Sequence, residues 1–282
     1  MRLPAQLHRN NPDTHKGDYG YCLVLGGSPG LTGAVCLTAQ AALRAGCGLV
    51  KVGIPKSLNN IFEIKLTEVM SLPLPESKGS LSQSAYKVIE KNLAKVNVLV
   101  IGPGAGLEDT TRKLILKILK YIDRPMVIDA DGITALASDM EILKQRKTKD
   151  LVITPHYGEF SRLIKLNIES IKKNRKQLAK RFARRYNLTL VLKGHRSIIT
   201  DGKKFFENTT GNPGMATAGM GDVLSGMIGS LLAQGLPAFA AAKFGVYLHG
   251  LAGDLAAKDK TQNCLIASDV IDYFSKAFKR SL

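Results

Sequence analysis

The chain has no tryptophan, and cysteine accounts for only four of its 282 residues. No two of these cysteines have the Cys-x-x-Cys spacing of a zinc or redox site, and no histidine stands at ligand spacing from them. Each lies in an apolar run, which predicts reduced thiols in the core of a cytoplasmic protein. The pattern argues against both a disulfide framework and a metal site for Cys22, Cys36, Cys47 and Cys264.

Long hydrophobic runs are also missing. No uninterrupted apolar stretch reaches the roughly 18 residues that a membrane-spanning helix needs. The least polar region, residues 223–257, is interrupted by Gln234, Pro237 and Lys243. Residues 1–20 are polar and carry no secretory signal. We therefore predict that the protein has no membrane partner.

Acidic residues are scarce, since 23 Asp and Glu stand against 40 Lys and Arg, and the formal net charge is +17. In residues 168–186, Ile171, Leu178 and Phe182 fit one face of a helix, so that the basic residues lie on the other. No helix-turn-helix, zinc pattern or aromatic-studded strand accompanies this charge, and we predict no nucleic-acid partner. Attraction of small polyanions such as nucleotides is the more economical explanation.

The most informative motif is a run rich in glycine and alanine at residues 211–222, followed by an apolar helical pattern. Small residues let backbone N–H groups turn toward an anion, and the start of a helix adds partial positive charge. Asp222 would stand beside a bound phosphoryl group, where its carboxylate can take a proton from an attacking hydroxyl. The alternative is a tight turn in which Asp222 caps the helix, and the two interpretations are compatible.

Short apolar strands alternate with helical patterns, which predicts one α/β domain over residues 1–282 with three layers and a mostly parallel sheet. The predicted strands are residues 21–25, 49–54, 96–101, 126–128, 151–153 and 188–193, and residues 197–206 form a hairpin. The predicted helices are residues 32–45, 80–93, 168–186, 238–258 and 267–279.

Polar and glycine-rich segments follow four of these strands. Ligands bind outside the carboxyl ends of strands in open α/β sheets, so we expect these segments to form one site. They are residues 26–30, 102–106, 129–132 and 154–159.

The individual side chains leave alternatives open. His156 either contacts a ligand or bonds the neighbouring backbone, and Glu159 either caps a helix or touches a ligand. Asp129 and Asp131 are either structural or help to position a metal through water. His249 lies among apolar residues on a predicted helix and is interpreted as a packing histidine.

Together these motifs resemble the ADP- or ATP-dependent NAD(P)H-hydrate dehydratases of the ribokinase-like superfamily. The resemblance implies a three-layer α/β/α ribokinase-like fold. The matching stretches run in the family's order from residue 15 to about residue 257, and they are residues 15–17, 26–28, 33–34, 102–106, 129–131, 154–160, 193–194 and 211–222.

The resemblance implies a hydro-lyase that repairs hydrated NADH and NADPH (NADHX and NADPHX). In that family the ring hydroxyl is phosphorylated and phosphate is then expelled, which with ADP yields NAD(P)H, AMP and phosphate. ADP is the expected co-substrate, with Mg²⁺ carried by its polyphosphate, and ATP is the alternative donor. Two rival functions remain: a kinase of a vitamin-precursor hydroxymethyl group, and a nucleotide-responsive binding protein without turnover.

The resemblance also assigns site residues. It implies that Asp222 is the catalytic base and that the hydrated dinucleotide contacts Ala34, Gly106, His156 and Asp222. It implies that the adenine nucleotide contacts Lys193, Gly194, His195, Arg196, Ser197, Gly219, Met220 and Gly221. No residue is assigned to a metal.

Three positions depart from the commonest family pattern: Ala218 stands where glycine is expected, and Met220 and Ser197 stand where threonine is frequent. None of these departures removes a group that the chemistry needs. The family habit implies a homotetramer. Only residues 1–14 precede the first motif, so we expect the NAD(P)H-hydrate epimerase to be a separate partner.

Overall fold

A nine-stranded sheet runs through the computed structural model, which describes all of residues 1–282. The strands join in the order β11-β10-β9-β8-β7-β6-β1-β2-β3, and β4 and β5 pair separately. Their bounds are β1 Tyr21–Leu25, β2 Leu49–Pro55, β3 Met70–Leu74, β4 Glu76–Ser77, β5 Ser80–Leu81, β6 Val98–Ile101, β7 Met126–Ile128, β8 Leu151–Ile153, β9 Thr189–Leu192, β10 Ile198–Thr200 and β11 Phe205–Glu207.

Twelve α-helices cover the two faces of the sheet. They are α1 Thr32–Arg44, α2 Asn59–Lys65, α3 Ala85–Lys91, α4 Asp109–Tyr121, α5 Asp131–Ser138, α6 Ile142–Gln145, α7 Tyr157–Ile164, α8 Ile168–Tyr186, α9 Met220–Ala233, α10 Ala238–Lys260, α11 Ala267–Asp272 and α12 Phe274–Lys279. Short 3₁₀ turns occur at Ala5–Leu7, Lys16–Tyr19, Lys56–Leu58 and Pro213–Met215. None of the helices combines the length and the apolar content needed to cross a bilayer.

The sheet is mostly parallel, as predicted, because only the pairings of β10 with β9 and with β11 are antiparallel. Alternate residues of each inner strand enter different cores, as β6 illustrates. Val98 and Val100 pack with helices α1, α9 and α10, whereas Leu99 and Ile101 pack with helices α3 to α8. Burial on both faces explains why these strands are continuous apolar runs. The chain therefore has the predicted three-layer architecture.

Several predicted elements differ in detail. The helix expected at residues 80–93 begins only at Ala85, because Ser80–Leu81 pairs with Glu76–Ser77. The helix expected at residues 267–279 is divided at Tyr273 into α11 and α12. Strand β3 was not predicted, since Pro73 disrupts its pattern, but an edge strand tolerates proline. Cys264 is exposed, contrary to the prediction that all four thiols are buried.

The order of the parallel strands brings the predicted polar segments together. Strands β6, β7, β8 and β9 are consecutive neighbours, so the segments that follow them emerge at the same edge of the sheet. His156 and Lys193 even form a parallel β-bridge beyond the ends of β8 and β9.

Candidate functional site

A cavity of about 950 Å³ lies at this edge of the sheet. Its walls come from the ends of β7, β8 and β9, from residues 208–222 and from the middle of α10. A smaller cavity of about 470 Å³, between α10 and the C-terminal residues, holds none of the predicted site residues. The predicted residues in the larger cavity are His156, Lys193, Gly194, His195, Arg196, Ser197, Met220, Gly221 and Asp222.

The start of helix α9 presents three free backbone donors to this cavity. Gly219 is the N-cap at φ +87°, a conformation that favours glycine, and its carbonyl accepts from Val223 N at 3.0 Å. The N–H groups of Met220, Gly221 and Asp222 donate no hydrogen bond within the protein. Asp222 therefore lies in the first turn and is not the helix cap. An anion here would meet three N–H groups and the positive end of the helix dipole.

The carboxyl group of Asp222 is suited to proton transfer near neutral pH. Burial, together with the charges of Asp129 and Asp131, raises the pKa of Asp222 to about 7, although Lys193 opposes the rise. No hydrogen-bond donor of the protein stabilises its charged form. A carboxyl group with this pKa is half ionised at neutral pH, which is the condition for an efficient general base.

Asp129 and Lys193 form a buried ion pair beside Asp222. Lys193 Nζ lies 2.6 Å from Asp129 Oδ1, and Ser225 Oγ donates to Asp129 Oδ2 at 2.6 Å. Burial opposes the charge of Lys193, but the carboxylates of Asp129 and Glu159 outweigh it and raise the pKa of Lys193. The Lys193 ammonium is therefore held charged at the wall of the cavity, and Asp129 is the residue that holds it.

His156 and Glu159 form a reciprocal cap at the start of α7. His156 Nδ1 accepts from Gly158 N at 3.0 Å and from Glu159 N at 3.2 Å, while Glu159 Oε2 accepts from His156 N at 2.8 Å. Burial and the charges of Lys193 and Arg162 lower the pKa of His156. The neutral ring therefore carries its proton on Nε2, and His156 serves as a cap while it also lines the cavity.

Ala34 and Gly106 lie outside the cavity lining. Gly106 N donates to Asp131 Oδ2 at 2.9 Å, and Asp131 begins α5 two residues after Asp129. A Cβ on Gly104 would lie 3.2 Å from Ala34 Cβ, so Ala34 packs against the same loop. The structure thus places these two predicted residues at the loop of residues 102–106, where Gly106 is bonded to the side chain of Asp131.

The segment after β9 forms a tight turn at the cavity. Ser197 Oγ donates to Gly194 O at 3.0 Å and accepts from Gly194 N at 3.2 Å. Arg196 adopts φ +55°, which is unusual for a residue other than glycine. His195 and Arg196 are exposed, and both line the cavity.

Sequence reasoning missed several residues around the cavity. Ser225 lies one helical turn after Asp222, but its hydrogen-bond partner, Asp129, is 96 residues away in the chain. Arg175 and Glu207 brace the segment at residues 194–197, and no local pattern connects them. His249 is buried as predicted, but it also lines the cavity, and burial lowers the pKa of His249 to about 4.

Comparison with known proteins identifies relatives over nearly the whole chain. The bifunctional NAD(P)H-hydrate repair enzyme of Moorella thermoacetica is 45% identical over 275 residues, which cover 95% of this chain and 51% of that protein. The ADP-dependent (S)-NAD(P)H-hydrate dehydratase of Neisseria meningitidis is 35% identical over 258 residues, or 90% of this chain and 83% of that one. The chain spans about half the length of the bifunctional relatives that it matches.

Solved structures place the fold in the ribokinase-like group. The ADP/ATP-dependent NAD(P)H-hydrate dehydratase of Bacillus subtilis, co-crystallised with ATP and Mg²⁺, superposes with a TM-score of 0.83 at 26% identity, covering 100% of this chain and 95% of that chain. A hydroxyethylthiazole kinase from Pyrococcus horikoshii matches with a TM-score of 0.65 at 16% identity, covering 94% and 89%, and shares the fold alone.

A family model described as NAD(P)H-hydrate dehydratase matches residues 22–276, a span that includes every predicted site residue. The chain therefore belongs to the NAD(P)H-hydrate dehydratase family.

Proposed function

We propose that the protein is an ADP-dependent (S)-NAD(P)H-hydrate dehydratase that returns hydrated NADH and NADPH to NAD(P)H. One observation carries the proposal: a carboxyl group whose pKa is about 7, Asp222, adjoins three free N–H groups at the start of α9. Phosphoryl transfer to a hydroxyl group requires a base beside an anion-binding group. A carboxyl group in the first turn of a helix, next to free N–H groups, meets both requirements.

In the first step the hydroxyl oxygen of the hydrated ring attacks the terminal phosphorus of the nucleotide. Asp222 accepts the hydroxyl proton, the new P–O bond forms, and the bond to the departing AMP breaks with its electron pair. The N–H groups of residues 220–222 and the Lys193 ammonium neutralise charge on the migrating phosphoryl group. Lys193 is suited to this role because Asp129 holds it charged.

The second step is an elimination. Hydroxide is a poor leaving group, whereas phosphate is a good one, so phosphorylation makes the C–O bond breakable. The lone pair of the ring nitrogen forms a C=N bond as phosphate leaves with the C–O electron pair. Loss of a proton from the adjacent ring carbon then restores the reduced nicotinamide.

The residues around the cavity bear on how Mg²⁺ would be held. The protein contains no group of three or more His, Cys, Asp or Glu residues arranged to hold a metal ion. Asp129 is engaged by Lys193 and Ser225, and Asp131 accepts from Gly106 N. This donor set does not form a protein cage, so we propose that Mg²⁺ arrives with the polyphosphate, its usual mode in such enzymes.

To test this proposal, the protein is incubated with hydrated NADH and Mg²⁺ in three parallel reactions, which contain ADP, ATP or no nucleotide. We expect the absorbance of the reduced nicotinamide to return with ADP, with AMP and phosphate released in equal amounts. Faster recovery with ATP would make ATP the donor. Phosphorylation of a vitamin alcohol such as hydroxyethylthiazole, without recovery of absorbance, would instead identify a kinase.

The assembly and setting of the enzyme are also proposals. We propose that the chain forms a homotetramer, on the strength of the family resemblance alone. Light scattering would measure this assembly. The four unpaired cysteines favour a cytoplasmic location. We propose that epimerisation of the hydrate is supplied by a different domain or chain.

A further inference from the structure

Helix α8 is interrupted next to a residue that contacts the cavity-lining segment after β9. Asn174 has non-helical angles, φ −120° and ψ 22°, inside the run Ile168–Tyr186. The interruption comes immediately before Arg175, the one basic residue of this segment that reaches several backbone groups of another element. The other basic residues nearby, such as Lys172 and Lys173, are exposed.

The guanidinium of Arg175 bridges the segment after β9 and strand β11. Arg175 Nη1 donates to the carbonyl oxygens of His195 at 2.8 Å and Arg196 at 3.1 Å. Arg175 Nη2 lies 3.0 Å from Glu207 Oε1, and Arg196 Nε lies 2.9 Å from the same oxygen. The planar fork of Arg175 can contact the two carbonyls and Glu207 at once, which the compact ammonium group of a lysine cannot do.

These carbonyl bonds determine where the opposite ends of the two peptide groups point. A trans peptide directs its C=O and N–H to opposite sides, so the N–H groups of Arg196 and Ser197 point away from Arg175. Neither N–H donates a hydrogen bond within the protein, and both residues line the cavity. Arg175 thereby orients two free backbone donors, and it braces Arg196 in its left-handed conformation.

We propose that Arg175 is a positioning residue for the adenine nucleotide: it holds residues 195–197 so that two backbone N–H groups face the nucleotide's anionic part. This inference rests on the proposed function, since it takes residues 193–197 as part of the nucleotide site. Arg175 itself does not line the cavity, and its guanidinium contacts the two carbonyls and Glu207 on the other side of this segment.

The test measures binding of ADP by calorimetry, without hydrate, to the wild type and to Arg175→Met, Arg175→Lys and Lys173→Met. Lys173→Met is the matched control, since it removes one positive charge from the exposed surface two residues away. We expect both Arg175 variants to bind ADP about tenfold more weakly, because lysine cannot span the two carbonyls. Lys173→Met should change affinity by less than about threefold.

Steady-state kinetics provide a second measurement. The KM for ADP should rise in the Arg175 variants, while the KM for hydrated NADH stays near the wild-type value. Glu207→Gln, which keeps the shape of the partner and removes its charge, should weaken ADP binding by a smaller factor in the same direction. This variant keeps the proposal testable if Arg175→Met unfolds.

Three results would overturn the inference. Wild-type affinity for ADP in the Arg175 variants would exclude the positioning role, and so would equal losses in Lys173→Met and Arg175→Met, which would indicate a general effect of charge. A parallel rise of both KM values would indicate a structural role. Failure of the wild type itself to bind ADP would instead refute the proposed function, and the inference with it.

Discussion

Lys193 Nζ lies 2.6 Å from Asp129 Oδ1, and the side chain of Asp129 is only 1% exposed. This ion pair joins the ends of strands β7 and β9, which lie on either side of β8, through Asp129 and Lys193. Ser225 attaches the same carboxylate to α9, the helix that carries Asp222. The charges that influence the proposed base are therefore fixed relative to the sheet and to the first turn of α9.

Replacement of Asp222 by asparagine should abolish catalysis while leaving ADP binding largely intact. The amide keeps the shape of the side chain but cannot accept a proton, and loss of a general base costs about 10²- to 10⁴-fold in kcat. The measurement is recovery of reduced nicotinamide absorbance alongside ADP calorimetry. Asp272→Asn, an exposed carboxyl group on α11, is the control and should retain activity. Full activity in Asp222→Asn would assign the base elsewhere.

The rate should rise with pH and level off above neutrality. Asp222 must be ionised to accept a proton, and its pKa is about 7. Below roughly pH 6, kcat/KM should therefore fall about tenfold for each decrease of one pH unit. A rate profile measured between pH 5 and pH 9, at saturating Mg²⁺, would locate this pKa. An ionisation near the ordinary aspartate value would contradict the burial and charge argument.

The same pKa predicts how stability depends on pH. The folded-state pKa of Asp222 is raised from 3.8 to about 7, so the folded protein binds this proton more tightly than the unfolded chain does. The contribution of Asp222 to the free energy of unfolding is therefore greatest at low pH. It is lost as pH rises toward 7, and the loss is on the order of 2–4 kcal/mol. Asp222→Asn should therefore stabilise the protein more at pH 8 than at pH 5 in urea titrations.

Asp129→Asn should move the pH profile to lower pH. Removing this negative charge takes away one of the causes that raise the pKa of Asp222 and leaves the opposing charge of Lys193. Ser225→Ala is the matched control, because it removes the hydrogen bond to Asp129 and keeps the charge. We expect the ionisation to shift in Asp129→Asn only. An upward shift would mean that Lys193 loses its own charge when its partner is removed.

A comparison of alanine substitutions at two glycines separates the cost of crowding at the start of α9 from the cost of backbone strain. Gly219 and Gly235 both have φ near +88°, so alanine costs about 1–2 kcal/mol at either position. A Cβ on Gly219 would lie 2.6 Å from Leu37 Cδ1, whereas a Cβ on Gly235 would meet nothing within 4 Å. Gly219→Ala should destabilise the protein more and also reduce activity. Equal losses of stability would show that the crowding is relieved.

His249 predicts sensitivity to acid. Burial lowers the pKa of His249 from 6.5 to about 4, so the unfolded chain binds this proton more readily than the folded protein does. The contribution of neutral His249 to the free energy of unfolding is fully present above pH 6.5. It is lost as pH falls toward 4, and the loss is on the order of 3 kcal/mol. Urea unfolding at pH 7 and pH 4.5 should show a smaller loss in His249→Leu than in the wild type. An identical loss would assign acid unfolding to other groups.

Parts of the site could be predicted where neighbouring residues in the sequence form a recognisable local pattern. Glycines before a helix predict an anion-binding loop, and Asp222 follows them directly, so the sequence alone suggests both. Glu159 three residues after His156 is likewise a local capping pattern. Ser225 and Arg175 were missed because they are ordinary helix residues whose partners, Asp129 and His195, are distant in the chain.

The sequence by itself determined the alternation of strands and helices, the glycine-rich loop before α9 and the acid at its end, because each depends on the period or the backbone freedom of neighbouring residues. The tertiary structure alone decided that Lys193 is paired with Asp129 and that Asp222 titrates near neutral pH. Those properties come from burial and from charges that meet only when separate strands join one sheet, since an electrostatic interaction depends on distance in space and on the exclusion of water.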